Sequence, residues 1–143
     1  MKPKILPRSI LLGVLLIGLN VAAASAQESG TAAARASVDE WLSLIDNQSY
    51  AASWDSAARL FKNAIPSEKW QQAVKIARTP FGPLKSRVLK SATTATTLPG
   101  APDGQYVVFQ FNTSFELKAA AAETVTAVRE PDGSWHVGGY FVK

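Results

Sequence analysis

The single histidine of the chain limits the chemistry that its residues can carry. His136 lies in the segment 133–137 (GSWHV), and none of the 143 residues is a cysteine. A zinc site needs three or four nitrogen, sulfur or oxygen ligands, and a serine–histidine–aspartate triad would have His136 as its only base. The sequence also has no Gly-x-Ser-x-Gly motif. We therefore expect no metal, no cofactor and no nucleophilic catalysis, and we expect His136 to face solvent on a strand.

Carboxylates are the second group that could do acid–base chemistry. The candidates in the predicted helical part are Asp39, Glu40, Asp46 and Asp55. Asp39 and Glu40 are neighbours, so on a helix their side chains point about 100° apart and do not form a pair. We expect all four to be helix-surface or capping charges. The alternative is an isomerase-like site, in which Asp46 or Asp55 lies in a closed apolar cavity beside a tyrosine or tryptophan and has a raised pKa.

Aromatic residues are numerous enough to build either a core or a ligand pocket. The chain has four Trp, three Tyr and six Phe, and each buried ring contributes on the order of 150–250 Å² of contact. We expect most of these rings to pack the core. The alternative is an apolar pocket whose polar ring atoms orient a small ligand. Its candidate residues are Tyr50, Trp54, Trp70 and Tyr106.

A basic stretch is the last candidate for binding. Arg78, Lys85, Arg87 and Lys90 fall within 13 residues that include no acidic group. On a strand Lys85 and Arg87 would share a face and could hold an anion or a carboxylate of a partner. We expect instead an edge strand that its lysines protect from aggregation, with Arg78 and Arg87 bound to backbone carbonyls or acidic groups of the same fold.

Apolar residues three and four apart predict helices in the first half of the chain. Val38, Trp41, Leu42 and Ile45 form one stripe, with Ser37 and Glu40 as a possible capping box, although Thr31 could also begin this helix. A second stripe runs over residues 50–61 and a third over 70–78. Pro80, Gly82 and Pro83 end the third helix.

From Leu84 the period changes to two, which predicts strands. They cover residues 85–97, 106–117, 123–130 and 135–142, with residues 118–122 as a connection. In the second strand one face holds Val107, Phe109, Phe111, Thr113, Phe115 and Leu117, and in the last strand one face holds Trp135, Val137 and Phe141. Helices followed by strands indicate an α+β fold, with about three helices on one face of a four-stranded antiparallel sheet.

The first 26 residues have the pattern of a secretory signal peptide. Lys2, Lys4 and Arg8 precede the apolar run 10–19, and Ala24-Ser25-Ala26 is a cleavage motif. We expect cleavage after Ala26, a periplasmic or secreted location, no membrane association afterwards, and a single domain over residues 27–143. Residues 27–34 are either a flexible start or the first turns of a helix. Without the leader, 12 basic residues face 11 acidic ones, which argues against nucleic acid as a partner.

Several phrases together resemble a known family. They are Trp41-Leu42, Ser53-Trp54, Arg78-x-Pro80-x-Gly82, the segment 98–106 (LPGAPDGQY), Glu123-Thr124-Val125 and Asp132-Gly133-x-Trp135-x-Val137-x-Gly139-Tyr140. Residues 35–142 thus resemble the exported bacterial proteins grouped as domain of unknown function 4019. The resemblance implies a cystatin-like fold, related to nuclear-transport-factor-two-like proteins, in which a curved sheet wraps around helices. It implies no activity and no catalytic residues.

The sequence therefore predicts an exported, non-catalytic domain that binds an unidentified protein or small molecule. A small-molecule pocket protein and an isomerase-like enzyme are the alternatives. An open space between the helices and the sheet would favour a small ligand, whereas a filled one would favour an interaction module. Pairing of strand edges between two copies would also suit this architecture, so a homodimer is possible on these grounds.

Overall fold

A four-stranded sheet with helices on one face makes up the part of the chain that the structure describes. The computed structural model describes residues 18–143, with side chains from residue 21, so most of the predicted leader lies outside the described residues. The helices are α1 (Gly18–Asp46), α2 (Tyr50–Asp55), α3 (Arg59–Ala64) and α4 (Ser67–Arg78), followed by a 3₁₀ turn at Thr79–Phe81. The strands are β1 (Leu84–Ala95), β2 (Tyr106–Phe115), β3 (Lys118–Arg129) and β4 (Trp135–Val142). This confirms the predicted α+β class.

Helix α1 carries the apolar stripe predicted for it. Val38, Trp41, Leu42 and Ile45 are all at most 2% exposed. The helix begins well before Ser37, so that residue is not its N-cap, and the Ser37 hydroxyl instead donates to the Trp135 carbonyl at 2.6 Å. Residues 27–34 belong to α1, which is the helical one of the two alternatives left open by the sequence.

The predicted second helix is in fact two short ones. Between α2 and α3 the backbone of Ala58 is extended, with φ −60° and ψ 152°. Its N–H donates to the carbonyl of Val137 on β4 at 2.8 Å. The break therefore lets the chain bond to the outer edge of β4, and an apolar spacing pattern alone does not contain that information.

The strands form an antiparallel meander in the order β1-β2-β3-β4. Residues 118–122, predicted as a connection, are the first part of β3, which pairs with β2 from Lys118 opposite Phe115. Leu117 was expected on the inner face, but it lies in the hairpin after β2 has ended and is 71% exposed. The other five inner residues predicted on β2 are buried, namely Val107, Phe109, Phe111, Thr113 and Phe115.

A bulge in β4 reverses the predicted direction of Phe141. Thr126 pairs with Gly139 whereas Ala127 pairs with Val137, so Gly138 is the extra residue. An extra residue shifts the alternation of side chains by one position. Val137 is consequently buried, Phe141 is 60% exposed and Tyr140 takes the inward place. A methyl group on Gly138 would lie only 3.2 Å from Val128 Cγ1, which explains why glycine fits there.

Aromatic rings fill the layer between the helices and the β3–β4 half of the sheet. Trp70 contacts the rings of Trp41, Phe61 and Tyr140 with centroids 4.8–6.5 Å apart. Helix α1 packs mainly against β3 and β4 and makes few contacts with β1. The inner side of β1 is therefore largely uncovered, and Leu89 there is 39% exposed. Within residues 18–143 no helix is long and apolar enough to cross a membrane.

Candidate functional site

Four charged side chains meet beneath the helices, each delivered by a different element. Asp46 is the last residue of α1, Arg78 ends α4, Arg87 lies on β1 and Glu123 on β3. Arg87 bridges the two carboxylates, with its Nε 2.7 Å from Glu123 Oε1 and its Nη1 2.8 Å from Asp46 Oδ2. Arg78 Nη2 binds Asp46 at 3.0 Å. The cluster therefore has two positive and two negative charges, and we call it the ionic cluster.

Glu123 is the most deeply buried carboxylate of the ionic cluster, and its hydrogen-bonding capacity is fully used. Its side chain has no solvent exposure. Oε1 accepts hydrogen bonds from Thr113 Oγ1 at 2.7 Å and from Arg87 Nε, and Oε2 accepts from the Tyr140 hydroxyl at 2.6 Å and from Arg87 Nη2 at 3.2 Å. All four hydrogen bonds come from groups of the fold, so Glu123 is bound as a structural counter-ion of Arg87.

Burial and charge shift the pKa values of two members of this group. Burial lowers the pKa of the Arg87 guanidinium, but hydrogen bonds to Asp46 and Glu123 and the charges of both outweigh it, so the pKa is raised above its ordinary value. Burial raises the pKa of the Tyr140 phenol, the charge of Glu123 raises it further, and Arg78 offsets only part of this. Arg87 therefore stays charged and Tyr140 stays neutral, so the group as a whole holds no net charge.

Arg78 is held by aromatic contact as well as by charge. Its guanidinium lies 4.5 Å from the centre of the Phe115 ring, and its Nη1 donates to the Tyr140 hydroxyl at 3.4 Å. Its Nε is buried and has no hydrogen-bond partner among the described residues. Of the two kinds of partner predicted for Arg78 and Arg87, backbone carbonyls or acidic groups of the fold, both arginines bind the acidic groups.

Lys85 is separated from the two arginines. A bulge lies between the pairs Leu84–Phe115 and Ser86–Ser114, and Lys85 is its extra residue. Lys85 is exposed, whereas Arg87 points inward, so the two do not share a face as an unbroken strand would require. A second bulge, at Lys90, interrupts β1 again between Leu89 and Ser91.

The aromatic candidates for a ligand pocket occupy different parts of the molecule. Trp70 is buried, and its indole N–H donates to Ser53 Oγ at 2.9 Å. Trp54 and Tyr50 are half-buried against the core, and the Trp54 indole N–H donates to the Ile65 carbonyl. Tyr106 is buried at the far end of the sheet, and its hydroxyl donates to the Pro102 carbonyl. These residues therefore do not surround one common space.

The remaining acidic and imidazole candidates lie near the surface. Asp39, Glu40 and Asp55 are exposed, and Asp39 pairs with Arg35 one helical turn before it. His136 is half-exposed, within hydrogen-bond distance of the Ser134 hydroxyl and the Ser56 carbonyl. Within the described part of the chain no three His, Asp or Glu side chains are grouped so as to hold a metal ion.

The sequence analysis missed Glu123, Thr113 and Tyr140 as members of a site. Glu123 was placed at the start of a strand, and Thr113 among apolar residues on an inner face. Glu123 could have been found from its spacing. It lies two and four positions before Val125 and Ala127 on one strand, so its side chain must face the core with theirs. Tyr140 could not be found in this way, since the bulge at Gly138 decides its direction.

Open clefts lie beside the first half of α1. One, of about 620 Å³, is bounded by α1 residues 26–31, the end of β1 and the first residue of β4. A second, of about 570 Å³, lies between α1 and the inner side of the sheet at Leu89 and Ala92 of β1 and Phe109 of β2. Both are lined by Gln27, Thr31 and Thr94. Together they form the side of the molecule that the helices leave uncovered, which we call the open side.

The geometry defines an α+β protein in which aromatic rings fill the layer between the helices and β3–β4, an ionic cluster joins α1, α4, β1 and β3, and clefts remain beside the first half of α1. The family model for proteins of unknown function DUF4019 matches residues 37–140. The chain therefore belongs to this family, as its sequence phrases suggested. No curated protein matches the chain.

Proposed function

We propose that the protein is an exported, non-catalytic binding module, acting in the periplasm or after secretion, and that it binds its partner on the open side. The observation that carries this proposal is the contrast between the two halves of the sheet. The layer between the helices and β3–β4 is filled by Trp41, Phe61, Trp70 and Tyr140, whereas the two clefts lie beside the first half of α1 and reach the end of β1.

The state of the carboxylates supports a role without catalysis. A general base must be free to take a proton from a substrate within hydrogen-bond reach. Glu123 has no solvent exposure and accepts four hydrogen bonds, and Asp46 is paired with both arginines of the ionic cluster. An isomerase-like mechanism would require an unpaired acid in a closed apolar cavity, and the described carboxylates nearest the core are committed to ion pairs instead.

The exposure of apolar groups on β1 supports binding at the open side. Val88 is 63% exposed and Leu89 is 39% exposed, and they point to opposite faces of an edge strand. The other edge of the sheet is partly occupied, because Ala58 donates to the Val137 carbonyl there. β1 is thus the edge with backbone groups and apolar side chains available to a partner.

Site-specific photo-crosslinking tests where the partner binds. Leu89 is replaced by a benzophenone amino acid in the full chain, which is produced in its native host and irradiated in living cells. Ile76 is the matched control, since it is an exposed aliphatic residue (74%) on α4, away from the open side. We expect adducts of discrete mass from position 89 and none from position 76. Equal labelling at both positions, or none at either, would refute binding on the open side.

Export is tested separately by the mass of the mature protein. The full chain is produced with its own leader, and the intact mass of the protein in the exported fraction is measured. We expect a chain that begins at Gln27, because Ala24-Ser25-Ala26 fits the small-residue cleavage motif. Recovery of uncleaved protein in the cell interior alone would contradict an exported role.

A further inference from the structure

The larger cleft of the open side is lined by one tryptophan and several uncharged polar side chains. It is bounded by Gln27 and Thr31 from α1, Thr94 near the end of β1, Thr96 just after it, Gln105 before β2 and Trp135 at the start of β4. We call it the Trp135 cleft. Its volume of about 620 Å³ lies within the range of roughly 300–1,000 Å³ that is typical of small-molecule sites.

Trp135 differs from the other three tryptophans in what its indole N–H does. Those of Trp41, Trp54 and Trp70 each donate to an oxygen of the fold at 2.8–2.9 Å. The Trp135 N–H has no such acceptor within residues 21–143, and it is not among the buried unsatisfied atoms. Trp135 lines the cleft, so its ring offers a ligand apolar contact, and its N–H is not committed to an acceptor among the described residues.

Helix α1 passes beside this ring at Gly30. A methyl group built on Gly30 would lie 4.0 Å from Trp135 Cζ2, which is an ordinary van der Waals contact. Trp135 itself is fixed by its backbone, because its carbonyl accepts the Ser37 hydroxyl and its strand pairs with Arg129. The ring is thus held at the cleft by α1 and β3 together.

The polar groups of the Trp135 cleft are hydroxyls and carboxamides. Each of these can both donate and accept hydrogen bonds. Gln27 Nε2 donates to Thr94 Oγ1 at 3.3 Å, a long and exposed bond that a ligand can replace. No carboxylate lines the cleft, and its one charged residue, Arg129, already donates to Gln105 Oε1 and to the Gly133 carbonyl.

We infer that the Trp135 cleft binds a saccharide of one or two rings, an inference that rests on the proposed function and names its ligand class. Sugar rings present C–H groups on their faces and hydroxyls around their edges. The faces match the Trp135 ring, and the hydroxyls match neutral groups such as Thr94 and Thr31. Nucleotides and other multiply charged anions would need several cations here, and a lipid tail would need a lining with fewer polar groups.

Nuclear magnetic resonance of the exported form of the protein tests this inference. The indole N–H signals of the four tryptophans are followed during titration with maltose, cellobiose and di-N-acetylchitobiose. The signal absent from Trp135→Phe identifies Trp135. We expect at least one of these sugars to shift that signal and to leave those of Trp41 and Trp70 in place, because the latter two are bonded inside the core.

Two threonines on one strand provide a matched pair of variants. Thr94 faces the cleft and Thr93 is exposed on the opposite face of β1. Thr94→Val removes one hydroxyl without changing the shape, and we expect the dissociation constant of the bound sugar to rise about fivefold to tenfold. Thr93→Val is expected to leave it unchanged. Mannitol, a linear polyol without a ring face, is expected not to bind.

The inference is overturned if none of the sugars shifts the Trp135 signal, if mannitol shifts it equally, or if Thr94→Val and Thr93→Val bind alike. Circular dichroism of each variant confirms that the fold is intact. A negative titration combined with crosslinks from position 89 would remove the saccharide and leave the binding module standing. Failure of both experiments would remove the proposed function as well.

Discussion

Replacement of Glu123 by glutamine isolates the energetic role of the ionic cluster. The variant keeps the shape of the side chain but removes its charge and turns one oxygen into an NH₂ donor. Every partner of Glu123 is itself a donor: Arg87 through two nitrogens, Thr113 and Tyr140 through their hydroxyls. Whichever way the amide is turned, one donor therefore faces another donor, and Arg87 loses one of its two counter-ions.

The expected loss follows from the burial of the pair. Removal of one partner from a buried ion pair costs about 3–5 kcal/mol of unfolding free energy, because it leaves the other charge uncompensated. For a domain of this size that corresponds to roughly 10–20 °C in melting temperature. Urea unfolding of the full chain, followed by tryptophan fluorescence, measures the free energy, and the slope with denaturant shows whether unfolding remains two-state.

Glu116→Gln is the matched control, since Glu116 is exposed in the β2–β3 hairpin. We expect it to change the unfolding free energy by less than about 0.5 kcal/mol. Combining Glu123→Gln with Arg87→Met should cost less than the sum of the two single changes, because both act on one interaction. A loss below about 1 kcal/mol for Glu123→Gln would refute the argument that the cluster depends on this carboxylate.

Three further variants test separate features. The pKa of Tyr140 is raised in the folded protein, so above pH 10, its ordinary value, the phenol loses its proton when the chain unfolds. The unfolding free energy of the wild type relative to Tyr140→Phe should therefore fall by about 1.4 kcal/mol per pH unit above that pH. Urea titrations at several alkaline pH values measure this, and an equal pH dependence of the two proteins' unfolding free energies would contradict it. Gly82 has φ +73° and ψ −169°, a backbone region almost exclusive to glycine, and a methyl group there would lie 3.0 Å from a Leu117 side-chain carbon. We expect Gly82→Ala to lower the unfolding free energy, measured with denaturant, by about 1–3 kcal/mol. Gly139→Ala, whose new methyl group has ordinary contacts, should lower it by less than about 1 kcal/mol. Phe141→Ala should cost less than about 1 kcal/mol, whereas Phe111→Ala should cost about 3–5 kcal/mol; similar melting temperatures for these two would show that the bulge does not turn Phe141 outward.

The sequence contains enough information for the fold class and for most of the core. The stripe from Val38 to Ile45 and the alternation from Val107 to Phe115 are long and regular, so their periods alone identify the buried faces. The places where the structure differs from the sequence-based prediction have local causes. Phe141, Lys85 and the break at Ala58 each depend on a bulge or on a backbone bond to a distant strand, and a single sequence does not specify such pairings.

The candidate sites were less predictable than the fold because they depend on side chains far apart in the chain. Arg78 and Arg87 were singled out as a basic stretch, and Asp46 as a possible acid. That they neutralise one another follows only from the way α1, α4 and β1 converge. The Trp135 cleft depends in turn on the path of α1 over the sheet, and the sequence left even the helical state of residues 27–34 open.

The ionic cluster also has a consequence for how the strands find their pairing. Its members are separated by up to 77 positions along the chain, between Asp46 and Glu123, so it can close only after the meander has assembled. A slip of β3 by one residue would turn Glu123 to the outside and bring Thr124 in. Two guanidinium groups would then share one carboxylate beneath the helices. A misaligned strand register is therefore less stable electrostatically than the correct one. Charge pairing favours the correct register in addition to the packing of apolar side chains.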